Sequence, residues 1–385
     1  MLVLLYIVAS AYVLLLGGLC LLSVRKDGAA EGDDFPPLSV VIAARNEAER
    51  LERNLPSVLA QSYPGEWEVC LVLDRCNDGS LEVARKLQAS FPRLRIIEIA
   101  ETPPGWAPKK WALTQGIKAA AHSSLVFTDA DCVPEENWLM QMGNLLQNEH
   151  GSTNPSANKG NLSGGEAPVL ILGLSPYQKR DGLLNAFIRF ETYYTAVQYV
   201  AWAKVGQPYM AVGRNLAYNQ ALFDKVEGFS MHKDRLSGDD DLLVNAVGSL
   251  DPKPEVKVNT DPKGKVISEP ETTWKSWFRQ KLRHLSAGTG YRSGALFILS
   301  LFHGLHAIFY ISLTLVLCCT PWTEEALVIY LVRTLLAWIT LALPASKWAF
   351  QAPLFLYPLL DILYLFYNFI LVPASLFHQP KWKGN

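Results

Sequence analysis

The chain has 385 residues, enough for two or three domains at roughly 100–200 residues each. Half of its residues are hydrophobic and only 18% are charged, which excludes a disordered chain, because disorder requires few apolar side chains and much charge. Lys+Arg 35 against Asp+Glu 36 leave a net charge of −1 that directs no binding to nucleic acid, and six cysteines with no CxxC pair read as free thiols in a reducing compartment, not as a disulfide scaffold or zinc module.

Residues 1–24 carry no charged side chain, and Arg25 and Lys26 follow them. About 20 apolar residues cross a bilayer as a helix. A signal peptide wants a positive start and a shorter apolar core, so the segment reads as an anchor, not a cleaved leader. The two basic residues after it place the next region on the cytoplasmic face by the positive-inside rule. Residues 27–35 (DGAAEGDDF) read as a polar linker.

From residue 36 the pattern alternates. Residues 38–43 (LSVVIA) are a short, β-branched apolar run, which predicts a buried parallel strand. Leu51, Leu55, Val58 and Leu59 predict a helix over 46–60, despite Pro56. Strands are predicted over 67–74 (WEVCLVLD), 94–99 and 124–129 (SLVFTD), and helices over 81–90 and 109–121. Alternating strands and helices imply a doubly wound α/β sheet, whose ligands bind beyond the carboxyl ends of the strands. Residues 149–165 (EHGSTNPSANKGNLSGG) read as a surface loop without assembled chemistry, its Asn161 sequon unused on a cytosolic face.

Polar residues follow the predicted strands as this architecture requires. The first strand runs into Ala43–Ala44–Arg45–Asn46–Glu47 and the second into Asp74–Arg75–Cys76–Asn77–Asp78–Gly79. Carboxylates there suit a nucleoside; Asn46 as a helix cap and Asp78–Gly79 as an ordinary turn are the plainer readings. The fourth strand runs into Asp129–Ala130–Asp131. Two acids one residue apart suit a hard cation such as Mg²⁺ or Mn²⁺, which takes one or two carboxylates plus substrate phosphates; a polar loop is the alternative. Ser237–Gly238–Asp239–Asp240–Asp241 sets three acids before an apolar helix. That is more than a cap needs, and clustered like charges raise at least one pKa, as a general base requires.

Residues 274–286 (WKSWFRQKLRHLS) predict a helix with Trp274, Trp277, Phe278, Leu282 and Leu285 on one arc and Gln280, Arg283 and His284 on the other, fit for the membrane interface. Residues 295–323 carry no charge, 326–343 only Arg333 and 348–377 only Asp361, which predicts three C-terminal spans. The basic-free 320–325 (TPWTEE) suits an outer loop and Lys347 an inner one, whereas Lys381 and Lys383 then fall outside, against the rule. Arg333 and Asp361 at membrane depth read equally as an ion pair joining helices or as a functional site. His303 and His306 read as interfacial residues, not metal ligands.

Taken together, four ordered motifs resemble a membrane-bound family 2 glycosyltransferase: PLSVVIAARNEAERLERNLPSVLAQSYP as its first strand and helix, DADC as its DxD, GDDD as its acidic base motif, and QKLRH as its QxxRW. The layout is similar to ceramide glucosyltransferases and, with fewer spans, to cellulose and hyaluronan synthases. The resemblance implies a GT-A nucleotide-sugar-binding fold, Rossmann-like with a mostly parallel sheet, between one N-terminal and about three C-terminal transmembrane helices. Its expected divisions are an anchor at 1–24, a cytosolic domain at 36–270, an interfacial helix at 271–294 and spans at 295–380. It implies that Asp74 binds uracil, and that Ala43 and Glu47 line the nucleoside pocket. Lys109 takes the family's basic position, with Lys110 adjacent. Asp131 touches Mg²⁺ or Mn²⁺ and Asp129 the sugar or ribose. Asp240 is the base, flanked by Asp239 and Asp241. Gln280 and Arg283 hold the donor and its diphosphate, and Gly213, Arg214 and Asn215 lie on the acceptor side.

Two departures stand out. Asp74–Arg75–Cys76 replaces a usual pair of adjacent aspartates. His284 stands where the family has Trp, which argues against processive synthesis. The implied function is inverting transfer from a UDP-sugar to a hydroxyl of a membrane lipid or glycan at the cytoplasmic face. A processive polysaccharide synthase and a membrane nucleotide-sugar-binding protein without turnover are the alternatives.

Overall fold

The structure is a computed structural model of the chain and describes residues 1–25, 35–147 and 167–377. Nearly all of the expected linker, the loop at 149–165, Lys381 and Lys383 lie outside those residues. In chain order, α1 (Leu2–Ser23) precedes β1 (Leu38–Ala44), α2 (Ala48–Leu59), β2 (Trp67–Asp74), α3 (Ser80–Ser90), β3 (Leu94–Ile99), α4 (Pro108–Ala119) and β4 (Ser124–Phe127). There follow β5 (Cys132–Pro134), α5 (Trp138–Leu146), β6 (Val169–Gly173), α6 (Leu183–Lys204), β7 (Leu216–Asn219), α7 (Gln220–Lys225), α8 (Asp241–Val247), β8 (Glu255–Asn259) and β9 (Val266–Ser268). The chain then continues through α9 (Trp274–Leu285), α10 (Ser293–Cys319), α11 (Thr323–Lys347) and α12 (Tyr357–Phe377).

The chain divides into two units. One unit, Lys26–Ser175 with Gly206–Glu269, is built on a seven-stranded sheet of order β3-β2-β1-β4-β7-β6-β8. The pairs β3/β2, β2/β1, β1/β4 and β6/β8 are parallel, and β7 is antiparallel to both neighbours. β5 and β9 form a separate antiparallel pair. This mostly parallel sheet is the expected α/β class. β1 and β2 are covered on both faces, which explains their unbroken apolar runs: Leu38, Val40, Val41, Ile42 and all of Val69–Val72 are at most 1% exposed. Burying each such side chain stabilises the fold by roughly 1.5–3 kcal/mol. Leu51, Leu55, Val58 and Leu59 of α2 join the same core as β1 and β2. On α4, Gly116 permits close approach: a Cβ there would sit 2.6 Å from Val41 Cγ1 and 2.9 Å from Val72 Cγ2.

The other unit comprises Met1–Arg25, Pro176–Val205 and Pro270–Asn385. Four of its helices are long and apolar enough to cross a membrane: Leu2–Ser23, Ser293–Cys319, Thr323–Lys347 and Leu354–Phe377. The protein is an integral membrane protein with the expected one-plus-three arrangement. α6, which the sequence reading places inside a 36–270 domain, groups with these helices. It is buried nearly all round, through Phe187, Phe190, Tyr193, Tyr194, Val197 and Val200. Its Tyr194 hydroxyl meets that of Tyr12 on α1, the Tyr193 hydroxyl donates to the Leu341 carbonyl, and Arg189 donates to the Gln351 carbonyl.

Arg333 and Asp361 do pair across α11 and α12, and both are at most 2% exposed. Asp361 also accepts from the Tyr310 hydroxyl at 2.7 Å and lies 3.1 Å from His306 Nε2. The expectation for His306 is corrected: it is 2% exposed within this network, held there by the carboxylate, not at an interface. The arc expected on α9 is part exposed and part buried, and Lys281 falls within it. Trp274 and Phe278 are exposed, whereas Trp277 and Lys281 are buried. Trp277 packs among Phe187, Trp274 and Tyr367, and the Lys281 ammonium donates to Glu191 on α6.

Candidate active site

The carboxyl ends of the adjacent strands β1, β2 and β4 carry three of the expected polar segments. After β1, Asn46 adopts φ 53°, and after β2, Arg75 adopts φ 49°, both in the left-handed region that non-glycine residues seldom enter. The two turns are stitched together. Asn46 Oδ1 accepts from Asn77 N at 2.9 Å, and Glu47 N donates to Ser80 Oγ at 3.0 Å. Asp78 accepts from Ala48 N at 3.0 Å and from Ser80 N at 3.1 Å, so it serves the first turns of both α2 and α3.

The expected nucleoside residues sit on this framework. Asp74, 3% exposed, is held bidentately by its neighbour: Arg75 Nε donates to Oδ1 at 2.7 Å and Nη2 to Oδ2 at 3.0 Å. Arg45 lies 3.8 Å from the same carboxylate. Glu47 accepts from Arg50 Nη1 at 2.7 Å, and Ala43 is half-buried in β1. The departure from paired aspartates thus places an arginine where it neutralises Asp74 directly.

Lys109, at the start of α4, joins the two acidic motifs. Its ammonium lies 3.1 Å from Asp129 Oδ1 and 2.9 Å from Asp239 Oδ2. Burial works against that charge, but Asp129, Asp239 and Asp240 outweigh it and raise the pKa above the usual lysine value. Burial likewise works against the Asp239 anion, yet Lys109 and Lys110 hold its pKa below the ordinary carboxylate value. Asp240 goes the other way. Burial and then the Asp239 charge raise its pKa, against Lys109 and two backbone N–H donors. Those donors are Gly213 N at 2.7 Å to Oδ2 and Asp241 N at 2.8 Å to Oδ1. Two neighbouring carboxylates are therefore pushed apart, one held ionised and one made more basic.

Asp129, Lys109, Asp239, Asp240 and Gly213 line one cavity with Thr128, Phe127, Tyr218 and Phe229. Thr128, which the sequence reading passed over, is 2% exposed, and its hydroxyl has no partner among the described residues. Its place directly before Asp129 was the available signal. Of the residues expected on the acceptor side, Gly213 touches Asp240, while Asn215 is fully buried, accepting from Trp138 Nε1 at 2.9 Å and donating to the Leu174 and Gly264 carbonyls. Arg214 Nε donates to Ser175 Oγ at 2.6 Å.

Asp129, Asp131 and Cys132 bring ligand atoms within 4.8 Å of one another. Cys132 is buried and its thiol pKa is raised well above the ordinary value, by burial and then by Asp131 and Asp129. Hard cations take oxygen ligands, so the two carboxylates fit Mg²⁺ or Mn²⁺ completed by substrate oxygens, while the Cys132 sulfur contacts Ser268 Oγ at 3.1 Å. Lys110 is turned away from this cavity into the protein. Gln280, Arg283 and His284 lie on α9 of the other unit, with Arg283 Nη2 3.3 Å from His284 Nε2.

Residues 39–199 match the family described as Glycosyl transferase family 2. The chain carries a family 2 glycosyltransferase domain. The match takes in β1 through α6, including Lys109 and Asp129–Asp131, and ends before the acids at 239–241. Among curated relatives, the glycosyltransferase AglE of Haloferax volcanii is 34% identical over 106 residues, which is 27% of this chain and 34% of that protein. The 4,4'-diaponeurosporenoate glycosyltransferase of Staphylococcus haemolyticus is also 34% identical over 106 residues, 27% of each chain. The chain thus spans about a third or less of these relatives' length. Among solved structures, the mannosyltransferase PcManGT from Pyrobaculum calidifontis, in complex with GDP-Man and Mn²⁺, superposes with a TM-score of 0.54 at 17% identity, over 94% of this chain and 99% of that one. The likeness identifies the fold as GT-A.

Proposed function

We propose that this family 2 protein transfers a sugar from a UDP-sugar to a hydroxyl of a membrane lipid, with inversion, at the cytoplasmic face. The observation that carries the reading is the Lys109 bridge, which brings Asp129 and Asp239 together beside the more basic Asp240. The four hydrophobic helices support a lipid acceptor, and Arg25 after α1 supports the orientation. Asp240 accepts the proton of the acceptor hydroxyl as its oxygen bonds to the anomeric carbon. Attack opposite the leaving group breaks the bond from that carbon to the diphosphate oxygen, whose electrons stay with the nucleoside diphosphate. One base suffices, because no covalent sugar intermediate forms. Lys109 supplies positive charge beside the departing diphosphate. Asp131 and Asp129 would hold Mg²⁺ or Mn²⁺, which supplies further charge neutralisation there.

The test is label transfer in membranes containing the full chain, with Asp240→Asn membranes as the blank. UDP-sugars are the expected donors, and GDP-mannose belongs in the panel because PcManGT binds it. Asp240-dependent label in the organic phase supports the proposal. Label confined to a high-molecular-weight precipitate replaces it with polymer synthesis, and absence of label from both phases rejects it. Chelation by EDTA should abolish transfer, with Mg²⁺ or Mn²⁺ restoring it; transfer unaffected by EDTA removes the assigned role of Asp131.

Gly213 offers a finer test. A Cβ there would lie 3.1 Å from Asp240 Oδ2 and 3.2 Å from its Cβ. Gly213→Ala should push the carboxylate by a few tenths of an ångström and lower kcat about tenfold, since small misplacements of a reacting group are costly. A kcat equal to wild type would show that the Gly213 contact is dispensable.

A further inference from the structure

Successive residues on a helix point roughly 100° apart, so adjacent lysines meet different surroundings. Lys109 faces Asp129 and Asp239. Lys110 is 1% exposed and faces the segment leading into the acidic motif. Its ammonium donates to the carbonyl oxygens of His232 at 2.7 Å and Ser237 at 3.0 Å, and lies 2.8 Å from His232 Nδ1. An ammonium has three N–H donors and no acceptor, so these three partners use it fully. The same segment is tied to the residues before α4 by its backbone, through Ala107 N to Lys233 O at 2.6 Å. Gly238 then turns at φ 80° into Asp239 and Asp240.

We propose that Lys110 is a positioning residue that closes the turn from His232 to Ser237 and so fixes Asp239 and Asp240, without touching the sugar donor. This replaces its expected role as a substrate contact, and its kinetic part rests on the transferase reading. The electrostatics agree. Burial brings the Lys110 pKa down to about 8, opposed by Asp239, Asp240 and Asp234 and aided by Arg235. Burial and the Lys110 charge bring His232 down to about 4, which keeps its imidazole neutral and Nδ1 free to accept.

The experiment compares the full-length protein with Lys110→Met in detergent or nanodiscs, by hydrogen exchange and by transfer kinetics. Exchange across residues 230–241 should quicken about tenfold, with the rest of the chain unchanged, as expected for local opening. The kcat should fall about 10- to 100-fold while donor KM stays within about twofold. Lys110→Gln keeps two of the three N–H donors and should fall between; it carries both measurements if the Met variant does not fold. Unchanged exchange at 230–241, or a raised donor KM with kcat intact, overturns the proposal. Should the wild-type protein transfer no sugar from any donor, the transferase reading fails while the exchange measurement still decides the role of Lys110.

Discussion

Asp240→Asn should lower the rate of sugar transfer about 10²- to 10⁴-fold, the range a positioned general base contributes. The amide is nearly the same size, so its oxygen still accepts one of the backbone N–H groups of Gly213 and Asp241. Donor binding should therefore survive within about threefold, and the loss should fall on kcat. The pH profile adds a second readout. Because burial and Asp239 raise the Asp240 pKa, the basic form accumulates only as pH rises through a value above the ordinary carboxylate pKa. Transfer should decline as pH falls through that value. Asp239→Asn removes the neighbouring anion and should move this acid limb to lower pH, although the two carboxyls titrate as a pair. An Asp240→Asn protein that turns over normally would remove the base from this residue.

The second large effect belongs to the membrane unit. Arg333→Leu should cost about 3–5 kcal/mol of stability, because it leaves the fully buried Asp361 carboxylate without its guanidinium. Tyr310 and His306 still reach Asp361 and should place the loss toward the lower end. Arg333→Leu with Asp361→Leu together should recover most of it, since two apolar groups need no partners in that setting. Unfolding in detergent, followed by helical signal, measures both. A single variant as stable as wild type would mean that the pair holds nothing together.

Much of the fold was legible because it rests on local pattern. The strands at 67–74 and 94–99 match β2 and β3 residue for residue: the covered β2 leaves an apolar run over Val69–Leu73, and the edge strand β3 a short β-branched stretch around Ile96 and Ile97. The four hydrophobic helices were legible from length alone. α6 was not, because Arg189, Glu191, Gln198 and Lys204 dilute its hydropathy, while the partners of Arg189 and Glu191, the Gln351 carbonyl and Lys281, appear only in three dimensions. The burial of Lys281 in α9 was not legible either, because its partner Glu191 lies on another helix. At the site, DxD and GDD were visible as motifs, but neither motif shows that Lys109 joins them. The different fates of Lys109 and Lys110 follow from which face of α4 each occupies, and two identical letters carry no sign of that.

The placement of α6 has a consequence for how the protein is made. It lies in the chain between β6 and β7, and β7 is the strand that links β4 to β6. When β6 has left the ribosome, β4 still has an open edge, and a membrane-unit helix must emerge before the strand that fills it. An unfilled strand edge invites pairing with other chains. The nascent catalytic sheet is thus exposed to aggregation during the synthesis of α6, and it closes only after residues 216–219 and 255–259 arrive. Trimming the ends of this chain would therefore leave α6 between two strands of the sheet, with the aromatic side chains that now pack on other helices uncovered.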